Sequence, residues 1–285
     1  MTETKPTLLV DPQTLALRID DPTWVLIDCR FSLAEPDWGV AQYRQGHIPG
    51  ARYAHLDEDF SSPTQPETGR HPLPDPAVLA DKLTNWGVGA DTRVVAYDDM
   101  GGAFAVRLWW LLRWLGHERV ALLDGGLRAW TANGGTLVKS IPDPEPRQFI
   151  PQPDDGAWLE TADIVANLKS ARFQVVDARA PERFRGEVEP IDPVAGHIPG
   201  AINLPLTGNL DQDGRFLPSA QLRKRFLGAL GKRPPEQVVN SCGSGVNACH
   251  NIMAMELAGL GGAKLYAGSW SEWIRSPKRP AATGG

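Results

Sequence analysis

The chain repeats itself. Gly46-His47-Ile48-Pro49-Gly50-Ala51 returns as Gly196-His197-Ile198-Pro199-Gly200-Ala201, 150 positions later. Ahead of each copy an apolar run ends in an acid, Val25 to Asp28 and Val175 to Asp177, the aspartates 149 apart. After each copy comes another apolar run, Arg93 to Asp98 against Gln237 to Cys242, at an offset of 144. A last pair, Leu123-Asp124-Gly125-Gly126 through Trp130 and Tyr266-Ala267-Gly268-Ser269 through Trp273, is offset by 143. Four matches in one order, with slowly drifting spacing, make two homologous domains. Their expected bounds are 1–140 and 157–285, joined by the proline-rich stretch 141–156. The tail after Ser276 reads as disordered.

Each half alternates short buried strands with helical stretches. Val94 to Tyr97 and Leu122 to Asp124 are continuous apolar runs, the mark of parallel strands covered on both faces. Ala103 to Leu115 has a helical period and is rich in Trp and Leu. The expected fold is therefore α/β, two tandem domains, each a mostly parallel sheet flanked by helices. Ligands of such sheets bind beyond the carboxyl ends of the strands.

Cys242 falls at such an end. An apolar run stops at this cysteine, Gly243-Ser244-Gly245 follows, and a helix-compatible stretch begins at Ala248. Glycines let the backbone curl tightly. A curl of this kind points successive N–H groups inward, with a helix N-terminus behind them, and so stabilises negative charge on the sulfur. The first domain has Asp98 at the matching place and no comparable nucleophile. It is expected to be non-catalytic.

The net charge of −5 argues against nucleic acid or an anionic membrane as the main partner. No apolar stretch has the length of a membrane span, and Met1 to Val10 lacks the basic and apolar regions of a signal peptide. Three cysteines, Cys29, Cys242 and Cys249, make no disulfide framework, which fits a cytoplasmic location. His47 and His197 recur with the box but have no paired ligand at a useful spacing, so no metal site and no cofactor are expected.

Together these residues resemble the two-domain rhodanese family of sulfurtransferases. The likeness rests on the Gly-His-Ile-Pro-Gly-Ala box, on Tyr266-Ala267-Gly268-Ser269-Trp270-Ser271-Glu272-Trp273, and on the loop Cys242-Gly243-Ser244-Gly245-Val246. That loop is similar to the 3-mercaptopyruvate sulfurtransferase branch; thiosulfate sulfurtransferases are the sister reading. The resemblance implies that Cys242 takes a sulfane sulfur from a small anionic donor and passes it, as a persulfide, to cyanide or a thiol, thioredoxin among the candidates. It assigns Gly243, Gly245, Val246 and Asn247 to the donor-binding loop and Arg183 to the donor's anionic group, since a guanidinium donates two parallel hydrogen bonds. The branch's second arginine, nine positions on, is replaced by Asp192. Arg185 and Arg179 are the candidates to stand in for it. The resemblance further implies a proton relay of Ser244 with His71 and Asp57.

Two rival functions conflict with the sequence. A cysteine phosphatase needs Cys-x5-Arg, and the arginine position is Ala248, which rejects it. A non-catalytic binding module would have lost Cys242, and the chain keeps it beside Ser244. Cys249 could resolve an oxidised Cys242 or pack inside its helix.

Overall fold

The computed structural model describes residues 7–285; residues 1–6, part of the stretch read for a signal peptide, lie outside them. Two compact units divide the chain. Of the described residues, the first comprises those up to Ser62, with 74–154 and 212–215; the second comprises 63–73, 155–211 and 216–285. The strap Pro63–Leu73 packs with the second unit, and most of the expected linker, 141–154, packs with the first.

In the first unit the strands are β1 (Leu9–Val10), β2 (Trp24–Asp28), β3 (Arg52–Tyr53), β4 (Arg93–Tyr97) and β5 (Val120–Leu123). They form one sheet in the order β1-β5-β4-β2-β3, and every pairing is parallel. In the second unit β6 (Trp158–Leu159), β7 (Gln174–Asp177), β8 (Ile202–Asn203), β9 (Val238–Ser241) and β10 (Lys264–Tyr266) repeat the plan as β6-β10-β9-β7-β8. Again all pairings are parallel. The continuous apolar runs read from the sequence are the central strands, whose side chains are buried on both faces.

Helices cover both sheets, and one in each unit is buried on nearly every side. Ala105–Trp114 exposes only part of Arg113, and Ala248–Leu257 is buried from Ala248 to Met255. Such all-round burial explains why both segments are apolar without a polar face.

The repeated box has a structural task. Ile48 and Ile198 are core residues of their units, at 0 and 3 % exposure. His47 stacks on Tyr43 and bonds the Tyr43 carbonyl through Nδ1 at 2.7 Å. His197 does the same with the Phe184 ring and carbonyl, also at 2.7 Å. Each box then receives a returning chain: His47 pairs with Val138, His197 with Ala282. The tail expected to be disordered is therefore tied down. The Ala282 N–H donates to His197, the Gly284 N–H donates to Arg185, and the Trp273 indole donates to the Pro280 carbonyl. The first unit makes the matching bond from Trp130 to Thr136. A Pro- and Gly-rich composition concealed the repeat's last element.

His117, just past the buried first-unit helix, is 6 % exposed, its ring 5.8 Å from that of Phe149 in the proline-rich stretch. Burial holds its pKa below the ordinary 6.5, with Arg119 acting in the same direction. The unfolded chain therefore binds a proton that the folded chain resists, and stability present above that range is lost as pH falls through it. Thermal melting between pH 7.5 and 5.5 should show a shallower acid loss of Tm in His117→Gln than in wild type. Parallel curves would mean that His117 does not contribute.

Candidate active site

Cys242 follows the last residue of β9, the middle strand of its sheet. Its Sγ accepts hydrogen bonds from the backbone N–H groups of Gly245 at 3.2 Å and Ser244 at 3.4 Å. The curl expected of Gly243-Ser244-Gly245 is present, and the helix Ala248–Leu257 starts behind it. Gly245 has φ +79°, and a Cβ there would lie 2.2 Å from the Ala267 carbonyl oxygen. The loop is gripped by the segment after β10. Ser269 Oγ accepts from the Cys242 N–H, while the N–H groups of Trp270 and Ser271 donate to the Cys242 and Gly243 carbonyls. This grip is what the Tyr266–Trp273 sequence encodes.

The first unit builds the same cradle and fills it with its own side chain. The Asp98 carboxylate accepts four backbone N–H groups, those of Met100, Gly102, Phe104 and Ala105, at 2.8–2.9 Å. The Leu127 N–H donates to the Asp98 carbonyl as Trp270 does to Cys242. Asp98 is thus a fixed anion where the second unit has a sulfur.

Beside the sulfur, Ser244 and His71 meet. Ser244 Oγ lies 2.7 Å from His71 Nδ1, and both residues are buried. His71 belongs to the strap Pro63–Leu73, which packs with the second unit although it lies within the sequence of the first. Asp57 belongs to the first unit, in the short helix Leu56–Asp59, where its N–H donates to His55 Nδ1. Val246 is buried at the loop's far side, and Asn247 precedes the helix half-buried, without a capping bond from its side chain.

Arg183 is held, not loose. Its guanidinium donates to Glu189 at 2.6 Å and to Asp192 at 3.3 Å. Burial would raise Glu189, but hydrogen bonds from Arg183 and from the N–H groups of Asp192 and Ile191 hold it below the usual carboxylate range. Neither arginine put forward for the missing second position takes it. Arg179 is locked on Asp177 and the Gly196 carbonyl, and Arg185 pairs with Glu187 in an exposed contact. Sequence reasoning missed Arg70, whose Nη1 lies 2.6 Å from Asp192 Oδ1. Its one signal was adjacency to His71 in Gly69-Arg70-His71.

The other cysteines have different surroundings. Cys249 is fully buried in its helix and donates to the Gly245 carbonyl at 3.4 Å. Burial, with Asp28, Asp98 and Asp59 around it, pushes the Cys29 thiol well above its ordinary range. Gly245→Ala should test the loop, because the added methyl meets main chain and the residue must keep a left-handed conformation. The expected outcome is a loss of about 1–3 kcal/mol in stability with at least a tenfold fall in turnover. Thermal melting and steady-state assays read both, and an unchanged rate would show that the curl is not required.

The family model described as "Rhodanese-like domain" matches residues 11–133 and again 160–276. A Pseudomonas aeruginosa protein named "Probable 3-mercaptopyruvate sulfurtransferase" is 53 % identical over 278 residues, covering 97 % of this chain and 98 % of its own. The thiosulfate sulfurtransferase of Rattus norvegicus is 34 % identical, covering 91 % of this chain and 86 % of its own. Among solved structures, the 3-mercaptopyruvate sulfurtransferase of Leishmania major superposes with a TM-score of 0.85 at 32 % identity, covering 97 % of this chain and 77 % of that one.

Proposed function

The chain belongs to the rhodanese family of sulfurtransferases, and from that premise we propose that Cys242 takes its sulfur from 3-mercaptopyruvate. The Ser244–His71 hydrogen bond beside the sulfur carries this reading. Support also comes from the relatives of that name.

The Cys242 thiolate attacks the donor's sulfur, forming an S–S bond as the donor's C–S bond breaks. The bonding pair stays on carbon as the enolate of pyruvate. The proton released by the donor thiol is the one the enolate carbon needs, so the step balances without an outside acid. Ser244 and His71 form a buried pair suited to carry it. The two loop N–H groups that meet the Cys242 sulfur can stabilise the thiolate before the step and the persulfide anion after it. A thiol or cyanide acceptor then removes the outer sulfur and restores the thiolate. The expected kinetics are ping-pong. Asp57 enters this reading through the resemblance alone.

For the acceptor we favour a protein dithiol of the thioredoxin kind, and for the location the cytoplasm. The three free cysteines support the latter. No helix among the described residues is long and apolar enough to cross a membrane. One observation favours thiosulfate as a second reading. The Gly-Ser-Gly loop has no side-chain cation of its own, but Arg70 and Arg183 face it from elsewhere, and a leaving sulfite would meet them.

Incubation with donor should add one sulfur to the Cys242 peptide by mass spectrometry, and Cys242→Ser should abolish turnover. Wild type should prefer 3-mercaptopyruvate to thiosulfate by kcat/KM. Ser244→Ala should depress the mercaptopyruvate reaction about 10²–10⁴-fold, the usual worth of a placed proton-transfer group, and the thiosulfate reaction much less. Equal effects on both donors would overturn the donor assignment.

A further inference from the structure

We propose that Arg70 is the second anion-binding side chain of the donor site and that Asp192 holds it in place. The proposal rests on the sulfurtransferase reading above and names the residue that grips the donor alongside Arg183.

Gly243 comes directly after the nucleophile and has no side chain. A Cβ built there would lie 3.2 Å from Arg70 Nη2 and 3.8 and 3.9 Å from the two terminal nitrogens of Arg183. Two guanidinium groups therefore stand over the residue next to the sulfur. One carboxylate spaces them. Asp192 Oδ1 takes Arg70 at 2.6 Å, Asp192 Oδ2 takes Arg183 at 3.3 Å, and its side chain is only 2 % exposed. The acid that removed the expected second arginine from position 192 thus orients another arginine, 122 residues earlier in the chain.

The backbone of the strap fixes Arg70 as well. The Arg70 N–H donates to Ser271 Oγ at 3.0 Å, the Gly69 N–H to Glu272 Oε2 at 3.3 Å, and Arg275 donates to the Thr68 carbonyl at 3.0 Å. The guanidinium itself keeps unspent capacity. Nε is buried and has no hydrogen-bond partner, although the side chain as a whole remains 27 % exposed. A buried donor without a partner is costly, and a bound carboxylate would relieve it.

Charge points to the class of ligand. Arg70, Arg183 and Arg179 face Asp192, Glu189 and Asp177 in an array whose formal charges cancel. Such a site suits a donor with one carboxylate better than a compact dianion. Strap residue Arg70 is also next to His71, so one short segment supplies both the anion grip and the proton carrier.

The test uses the full-length protein, with Arg70→Gln and Arg70→Lys assayed with 3-mercaptopyruvate and with thiosulfate. Arg70→Gln should raise the donor KM about 10- to 100-fold, the worth of a charge-assisted hydrogen bond, while the cyanide KM stays as in wild type. Arg70→Lys should recover part of the loss. In a Cys242→Ser background, calorimetric titration with pyruvate should show weakened binding when Arg70 becomes Gln. If wild type uses thiosulfate alone, the mercaptopyruvate reading fails, and the rise in thiosulfate KM still supports Arg70. A fall in kcat with donor KM and pyruvate affinity unchanged would show that Arg70 only latches the strap, and would overturn the proposal.

Discussion

Each unit depends on a buried ion pair at the end of a strand. Asp28 closes β2 and takes Arg30 through Nε and Nη2, and Arg30 then donates to the Gly46 carbonyl at 2.8 Å. Asp177 and Arg179 repeat this, ending on the Gly196 carbonyl at 2.7 Å. One bidentate contact therefore ties a strand end to the Gly-His-Ile-Pro-Gly-Ala box that leads directly into the neighbouring strand. Burial penalises the Arg179 charge, yet Asp177 and Glu189 hold it above its ordinary range. Removing one partner of such a pair typically costs about 3–5 kcal/mol, because the other charge is left buried alone. The short helix Pro181–Phe184, which carries Arg183, begins two residues after Arg179.

Much of this could be read in the sequence because a repeat makes each half a control for the other. The aligned offsets placed Cys242 opposite Asp98, and both sit in the same curl. The two box histidines, matched by the repeat, each stack on an aromatic ring and bond a carbonyl. Strands and helices followed from apolar runs whose lengths matched a doubly covered parallel sheet.

What escaped was long-range and carried no local pattern. Arg70 reaches Asp192 and Gly243 across more than a hundred residues, and no spacing rule in a single sequence reports such a pair. The strap Pro63–Leu73 belongs to the second unit although it is embedded in the first unit's sequence. The tail was misread because Pro and Gly suggested disorder, whereas backbone bonds to His197 and Arg185 need no particular side chains. The resemblance identified His71 and Ser244 as residues; their 2.7 Å contact could come only from the fold.

The filled cradle of the first unit has a consequence for the other one. Four short N–H···O bonds secure Asp98, whereas the sulfur of Cys242 has two long ones, at 3.2 and 3.4 Å. One copy of the same backbone closes tightly on its own carboxylate, and the other closes loosely on a sulfur. The longer contacts fall on the sulfur, the atom that the proposed transfer would load and unload. Duplication has let one curl be fixed shut while its twin keeps a looser hold on the atom inside it.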